Sequence, residues 1–407
     1  MNKRKIINDP VYGFITIPTE LIFDLIEHPF FQRLGRIKQL GLTYLVYPGA
    51  QHTRLQHALG AMHLMAQSLE VLRSKGANIT NDEAEAVTIA ILLHDIGHGP
   101  FSHTLEKLLV TGISHEELSI RMMEKLNAAF EGKLSMALEI FRGNYNKTFL
   151  HQLVSSQLDM DRLDYLNRDS FFTGVAEGVI GYDRIIKMLT VKNNELMVES
   201  KGMYSIEKFL ISRRLMYWQV YLHKTVLAAE QMLVKIMERA NEISVTRKLA
   251  ATPALSFFLE KKTGLFSEST PDELLTRFAD LDDTDVISSI KMWRNDEDPI
   301  LSWLSRHLLL RKLFKIELRN TPFEAADVAQ IRQRIHQQSN IDPEDLHYFV
   351  FMETTTNHAY SPESGPINIL FKDGSVKDVA DASDLLNIRV LEDPVVKHFL
   401  CYPKELV

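Results

Sequence analysis

The stretch LLHDIGHGPFSH, residues 92–103, decides the fold. It sets His94, Asp95, His98 and His103 directly behind the apolar run VTIAILL, residues 87–93. Upstream, Thr80-Asn81-Asp82-Glu83 reads as an N-cap followed by acid in a first turn, so a helix opens at 81 and runs to Leu93. It is apolar almost all round, the pattern of a central, buried helix. Gly97, Gly99 and Pro100 end it and let backbone come close to a ligand. A buried histidine beside a buried aspartate is costly unless the two pair or bind a cation. For an isolated His-Asp dipeptide, a hydrogen-bonded polar helix end is the commoner outcome.

Three more pieces weigh against that bland outcome. His57 sits in HTRLQHALG, residues 52–60, where an amphipathic helix begins. That helix carries Leu55, Leu59, Met62, Met65, Leu69 and Leu72 at spacings of three and four, and Gly76 and Asn78 end it. His115-Glu116 begins another helix. Asp161 sits in LDMDRLDYLNRD, residues 158–169, inside a helix expected over 148–169, where an acid has no capping role. Asp161, Tyr165 and Asp169 are four apart and form one polar stripe. For Asp161 alone a solvated face would be common. Together His57, His94, Asp95 and Asp161 make an N2O2 set for a divalent cation, with positions open to water and substrate.

A second long helix is expected over 206–241. On it Arg213, Tyr217, Tyr221 and Lys224 recur on one face, and two aromatics between two cations suit a nucleotide. The plain alternative is a helix interface with snorkelling cations. Met216 and Leu227 read as core, and His52, His63, His151, His223 and His307 as structural or surface groups. Residues 11–17 read as a short strand or hairpin arm, and 18–40 as helical with a break near His28-Pro29. Residues 41–53 read as a loop with a short extended piece, and 191–202 as a hairpin around Asn193-Asn194. Strand character returns at 347–352, 367–372 and 375–380, with Asp373-Gly374 as a turn. The expected fold is mainly α: a helical body with small β-hairpins over 1–320, and a small α+β C-terminal part over 321–407.

The 407 residues, 45% hydrophobic, suffice for one large core or two domains. A charged fraction of 24% with little glycine and proline disfavours disorder. A net charge of -7 disfavours bulk, non-specific nucleic-acid binding. The single cysteine, Cys401, excludes an internal disulfide and a thiolate metal cluster, and fits a reducing, cytoplasmic setting. The opening MNKRKIINDP has no apolar region behind its basic residues, so it does not read as a signal peptide. The apolar runs are too short to span a bilayer, so no membrane partner is expected.

The order His…His-Asp…Asp resembles the HD superfamily of metal phosphohydrolases. FFQRLGRIKQLGLTYLVYPGAQHTRLQHALG (30–60), LLHDIGHGPFSH (92–103), SHEE (114–117) and DMDRLDYLNRD (159–169) closely resemble the HD-domain deoxynucleoside triphosphate triphosphohydrolases. The resemblance runs from the NDPVYG segment to about residue 240 and weakens beyond it. It implies an HD-domain helical body and makes His57, His94, Asp95 and Asp161 the ligands of a divalent metal: Mg, Mn, Fe, Zn or Ni. It implies that Arg54 binds substrate phosphate, that His98, His103 and His115 surround the α-phosphate, and that His103 with Glu106 protonates the leaving 5′ oxygen. Arg162 matches a residue at the outer phosphates. Tyr165 and Asp169 match positions near phosphate and the sugar 3′-hydroxyl, and Gln39 and Leu40 match residues beside base and sugar. Arg213, Tyr217, Tyr221 and Lys224 complete the expected substrate set.

The implied reaction converts a dNTP to deoxynucleoside and inorganic triphosphate. The alternatives are an HD enzyme acting on a nucleoside monophosphate, a guanosine alarmone or a cyclic dinucleotide, or a nucleotide- or single-strand-binding regulator without turnover. Relatives work as symmetric oligomers, so a homo-oligomer, dimer or tetramer, is expected. Nucleotide-activated relatives carry QRLR where this chain has QRLG, with Gly35 in the arginine's place, and Glu27 where they have a shorter acid. Glycine supplies no guanidinium, so GTP is expected to be a poor activator. Leu222 replaces a glutamine near the base.

Overall fold

The computed structural model describes residues 5–110, 112–260, 271–339, 341–357, 359–384, 388–391 and 393–406. The architecture is mainly α with small sheets. An N-terminal hairpin, β1 (Ile6–Asp9) and β2 (Gly13–Thr16), leads into α1 (Glu20–Glu27) and α2 (Pro29–Gln32). His28, extended as the residue before a proline must be, separates the two helices. There follow α3 (Arg54–Ser74), α4 (Asn81–Leu93), α5 (Glu106–Leu109), α6 (His115–Ala129) and α7 (Ser135–Phe141).

The central helix is α4, as its apolar run predicts. Every residue from Ala86 to Leu93 is buried, against α3, α7 and α8 (Thr148–Val154). Its start is fixed by a reciprocal capping box. Glu83 N–H donates to Thr80 Oγ1 at 3.2 Å, and Thr80 N–H donates to Glu83 Oε2 at 2.8 Å. Lys147 Nζ then neutralises Glu83 at 2.7 Å.

Two long helices expected from periodicity are each interrupted. Residues 148–169 divide into α8 and α9 (Met160–Thr173). Asp159 caps α9, accepting from Ser156 N–H and Arg162 N–H at 2.8 and 2.7 Å. Asp161 therefore lies in a first turn, where a carboxylate is favoured by the helix dipole, and not in a helix interior. After α10 (Tyr182–Met188), strands β3 (Leu189–Lys192) and β4 (Glu195–Glu199) form the expected hairpin, with Asn193 and Asn194 both at positive φ. Residues 206–241 divide into α11 (Met203–Met216) and α12 (Lys224–Ser244). Between them Leu222 N–H closes a widened π turn onto Tyr217 O at 2.7 Å, and the His223 side chain caps α12.

Beyond α12 lie α13 (Pro253–Glu260), α14 (Pro271–Asp280), α15 (Asp283–Trp293) and α16 (Pro299–Leu309). The C-terminal part adds β5 (Lys315–Arg319), α17 (Ala325–Gln338), β6 (Phe351–Asn357), β7 (Asn368–Leu370), β8 (Val376–Asp378) and β9 (Val395–Tyr402). Residues 347–350, expected as strand, instead belong to or follow a 3-10 turn begun by Pro343. Strand pairing ties the C-terminal strands to the middle of the chain and to one another: β7 runs parallel to β4, and β9 lies between β5 and β6. Cys401 is buried on β9. Among the described residues no helix is long and apolar enough to cross a membrane.

Gly97 has a different role from the one its sequence suggests. A Cβ there would stand 2.3 Å from His115 O and from Ser119 N. The glycine lets the backbone of α6, not a ligand, approach the loop after α4. Gly97 N–H donates to Ser119 Oγ at 3.0 Å, and that hydroxyl donates to His94 O at 2.8 Å. Gly35 is a contrast, since its Cβ would meet only Leu55 Cδ1 at 3.5 Å. Gly97→Ala is expected to cost about 1–3 kcal/mol by forcing α6 outward, and Gly35→Ala to stay within about 0.5 kcal/mol. Chemical denaturation of both variants checks this, and equal midpoints would contradict the close-approach argument.

Candidate metal centre

His57 enters from the first turns of α3, which Thr53 and Gln56 cap reciprocally. His94 closes the C-terminal end of α4, and Asp161 stands in the first turn of α9. The helices bring three ligand atoms together. His57 Nε2 is 3.3 Å from His94 Nε2 and 3.1 Å from Asp161 Oδ1, and His94 Nε2 is 3.5 Å from Asp161 Oδ1. Ligands about 2.0–2.2 Å from one ion lie about 3 Å apart, so this spacing fits a divalent cation. Asp95 adjoins the set, with Oδ1 at 3.3 Å from His94 Nε2 and at 3.2 Å from His98 Nε2. Its Oδ2 receives Arg54 Nη1.

Both histidines are held from behind. His94 Nδ1 donates to Ile91 O at 2.6 Å, which aims Nε2 at the centre. His57 Nδ1 donates to Asp164 Oδ2 at 2.7 Å. Asp164 also receives Arg168 through Nε at 2.9 Å and Nη2 at 3.1 Å, and Arg168 Nη1 reaches Asp9 Oδ2 at 2.8 Å. His57, Asp164 and Arg168 are all fully buried. Gly60 makes the room: a Cβ there would lie 2.0 Å from Asp164 Oδ1 and 2.2 Å from Arg168 Nη2. Sequence reasoning misses Asp164, Arg168 and Asp9. Their one visible signal is the i,i+4 spacing of Asp164 and Arg168 within the same helix as Asp161.

Burial alone would push the His57 imidazole down, but its hydrogen bonds to Asp161 and Asp164 override that and raise it to about 10. His94 is also raised, Asp95 and Asp161 outweighing burial. Asp161 is held far below the usual carboxylate range: desolvation opposes this, and the two histidines overcome it. Asp95 is likewise depressed, by His94, Arg54 and His98 against desolvation. His98 is pushed well below an ordinary histidine by burial and then by Arg54, so it is neutral at pH 7. Its ring stacks on His115, with centroids 4.0 Å apart. Glu106 Oε1 accepts from His115 Nδ1 at 2.9 Å and from His115 N–H at 2.8 Å. The His103 side chain lies outside the described residues.

Beside the centre opens a cavity of about 440 Å³. Gln39, Leu40, Arg54, Tyr217 and Tyr221, all expected at substrate, line it. Arg54 links cavity and centre: Nε and Nη2 both donate to Ser102 Oγ while Nη1 holds Asp95. Asp169 stands behind the wall, accepting from Tyr221 Oη and from His52 Nε2 at 2.7 Å each. His52, which reads from the sequence as a structural or surface group, thus supports that wall. Tyr165 packs edge-on against Tyr221, with centroids 6.2 Å apart. Arg162 is paired with Asp159, and Arg213 donates to Gln157 at 3.1 Å. The Nε atoms of both arginines, and Gln39 Oε1, are buried without a hydrogen-bond partner. Lys224 is exposed on the first turn of α12 and is not part of the cavity wall. Glu230, which the sequence gives no reason to single out, is part of it, and burial raises its carboxyl to about 7 against a hydrogen bond with Thr104.

Asp164→Asn keeps the size of the side chain but removes the charge that orients His57 and balances Arg168. Partners of this kind are worth about 10–100-fold in metal affinity. Titration of metal-free protein with Mn²⁺ should show that loss with the helical content retained. Unchanged affinity would mean that the Asp164 contact is idle.

Residues 54–169 match the family model of the HD domain, and residues 180–252 match that of the HD associated region. The uncharacterized protein YwfO of Bacillus subtilis is 30% identical over all of this chain and 94% of its own length. A deoxynucleoside triphosphate triphosphohydrolase SAMHD1 homolog of Dictyostelium discoideum is 30% identical over 58% of this chain, and the match spans 50% of that protein. The crystal structure of a phosphohydrolase from Bacteroides thetaiotaomicron is 52% identical with a TM-score of 0.94, covering 98% of this chain and 100% of that one. A centre of two histidines and an aspartate at the ends of packed helices, under an HD match and a full-length phosphohydrolase likeness, places this chain among the HD-domain phosphohydrolases.

Proposed function

We propose that the protein hydrolyses deoxynucleoside triphosphates to deoxynucleoside and inorganic triphosphate, with His57, His94, Asp95 and Asp161 holding one divalent ion. The observation that carries this reading is Arg54. The same guanidinium holds Asp95 of the centre and forms the wall of a cavity lined by two tyrosines. A nucleotide in that cavity would meet cation, arginine and aromatic surface in one line. The likeness to SAMHD1-type enzymes supports the choice of substrate.

When bound, the divalent ion supplies Lewis-acid polarisation of the phosphate and acidifies a water. The chain's own groups do the rest. Arg54 fixes the phosphate chain, its fork held by Ser102 on two nitrogens so that little rotamer freedom is left to lose. Arg162 and Arg213 add charge from α9 and α11, each with a buried Nε unpartnered. Glu106 anchors His115 at Nδ1, and His115 Nε2 lies 3.4 Å from Glu116 Oε1, so His115 is a fixed polar wall for the phosphate. His98, neutral beneath it, donates from Nε2 to Asp95 Oδ1 at 3.2 Å and adds no charge. His103, in the 3-10 turn before α5, is the acid that the family pattern assigns, with Glu106, to the leaving 5′ oxygen. Gln39 Oε1 accepts from a sugar hydroxyl. Asp169 has an indirect role, since His52 and Tyr221 occupy its two oxygens and it fixes the Tyr221 ring. The exposed Lys224 contributes long-range charge at most.

Purified protein incubated with each dNTP and NTP in Mn²⁺ or Mg²⁺ should release tripolyphosphate, resolved by ion exchange, from dNTPs. Asp161→Ala and His94→Ala should each lower the rate by more than about a hundredfold with the fold intact. Release of monophosphate or pyrophosphate instead would redirect the reading to another nucleotide reaction.

A further inference from the structure

Resting on the dNTPase reading, we propose that Glu230 on α12 reads the nucleobase, its carboxylate accepting two adjacent N–H donors from a guanine edge. The cavity wall has two chemically distinct parts. Arg54 and Ser102 are tied to Asp95 and so to the phosphate chemistry. Leu222, Glu230, Gln231 and Val234 also line it, along about 18 Å of chain at helical rise. That length accommodates a nucleoside beyond its phosphates. Leu40, Leu222 and Val234 offer apolar surface to the faces of a base, and hydrogen-bonding capacity on this stretch of α12 is concentrated in Glu230 and Gln231.

Glu230 is half-buried and lines the cavity. Thr104 supplies it one hydrogen bond. A carboxylate has more acceptor sites than one hydroxyl fills, so Glu230 keeps acceptor capacity for a ligand that brings N–H donors. Among the four bases, guanine presents two adjacent donors, N1–H and the 2-amino group. Adenine and cytosine present a donor beside an acceptor, and thymine presents a single donor between two acceptors. The Leu222 side chain cannot hydrogen-bond a base; Gln39 and Thr43 bring polar groups from the Leu40 segment, and Glu230 and Gln231 bring them from α12. A site built around such a pair rejects the base that lacks it.

Glu230→Gln tests this, because an amide offers one donor and one acceptor, the complement of adenine and cytosine. At pH 8 the wild-type protein should show its highest kcat/KM with dGTP. The variant should lose about ten- to a hundredfold on dGTP while dATP and dCTP gain relative to it. Equilibrium binding of deoxyguanosine and deoxyadenosine to both proteins reads the same contact without turnover. A dGTP:dATP ratio unchanged by the substitution, in rate or in binding, overturns the proposal and leaves the dNTPase reading standing. Absence of triphosphate release from every dNTP overturns that reading, and the nucleoside-binding ratio then still decides the role of Glu230. Glu230→Ala, which lacks both donor and acceptor, should flatten the preference; a persisting guanine preference would also overturn the proposal.

Discussion

The buried ion pair of Asp164 and Arg168 is the constraint on which the centre depends. Taking two charges out of water costs several kcal/mol per ion unless every hydrogen-bonding group finds a partner. Here the partners are nearly complete. Asp164 accepts from His57 and twice from Arg168, and Arg168 directs its remaining nitrogen to Asp9. Asp9 in turn uses Oδ1 to hold the turn between β1 and β2 through Val11 and Tyr12 N–H. A chain of charge-assisted bonds thus runs from the N-terminal hairpin, through α9, to the Nδ1 of His57 on α3. Gly60 is the steric condition for it, since any side chain there would occupy the space of the pair.

That arrangement sets the charge state of the centre. Two imidazole Nε2 atoms face each other at 3.3 Å, and Asp161 lies between them at 3.1 and 3.5 Å. The carboxylates stay ionised while the histidines are raised above their ordinary value. Protons and a divalent cation therefore compete for the same nitrogens, and metal uptake at such a site releases protons. Arg54 tempers the negative charge from outside through Asp95, and the same residue depresses His98. One guanidinium thus links three tasks: balancing the Asp95 carboxylate, adding to the burial that keeps His98 neutral, and presenting charge to the cavity.

Much of this is legible in the sequence. The cap at Thr80 and the apolar run to Leu93 come from local pattern, because capping and helix periodicity are local physics; of the expected quartet, His57, His94 and Asp161 come together, with Asp95 beside them. The Asn193-Asn194 hairpin is readable for the same reason. What escapes is non-local. Asp164 and Arg168 look like any solvated i,i+4 pair until α3 covers them. His52 has no sequence reason to meet Asp169. Strands β5 and β9 lie about 80 residues apart and are paired by tertiary contact rather than by a turn. Periodicity also runs through both helix breaks. At 155–159, Ser-Ser-Gln-Leu-Asp, Leu158 keeps the spacing of four from Val154, while the side-chain cap of Asp159 diverts the backbone.

The break at 222–223 matters most for the cavity. A regular helix over 206–241 would have kept Arg213, Tyr217, Tyr221 and Lys224 on one face. The π turn adds a residue to the turn, worth about 100° of rotation, and the pause at Leu222 and His223 resets the phase of α12. Arg213 stays buried behind the wall and the two tyrosines remain on it, with centroids 5.1 Å apart and rings nearly perpendicular. Lys224, the first residue of α12, is exposed, and Glu230, Gln231 and Val234 further along that helix line the cavity. In an unbroken helix Glu230 would stand nine residues, about 180° of rotation, from Tyr221; the interruption lets a carboxyl share the cavity with that ring.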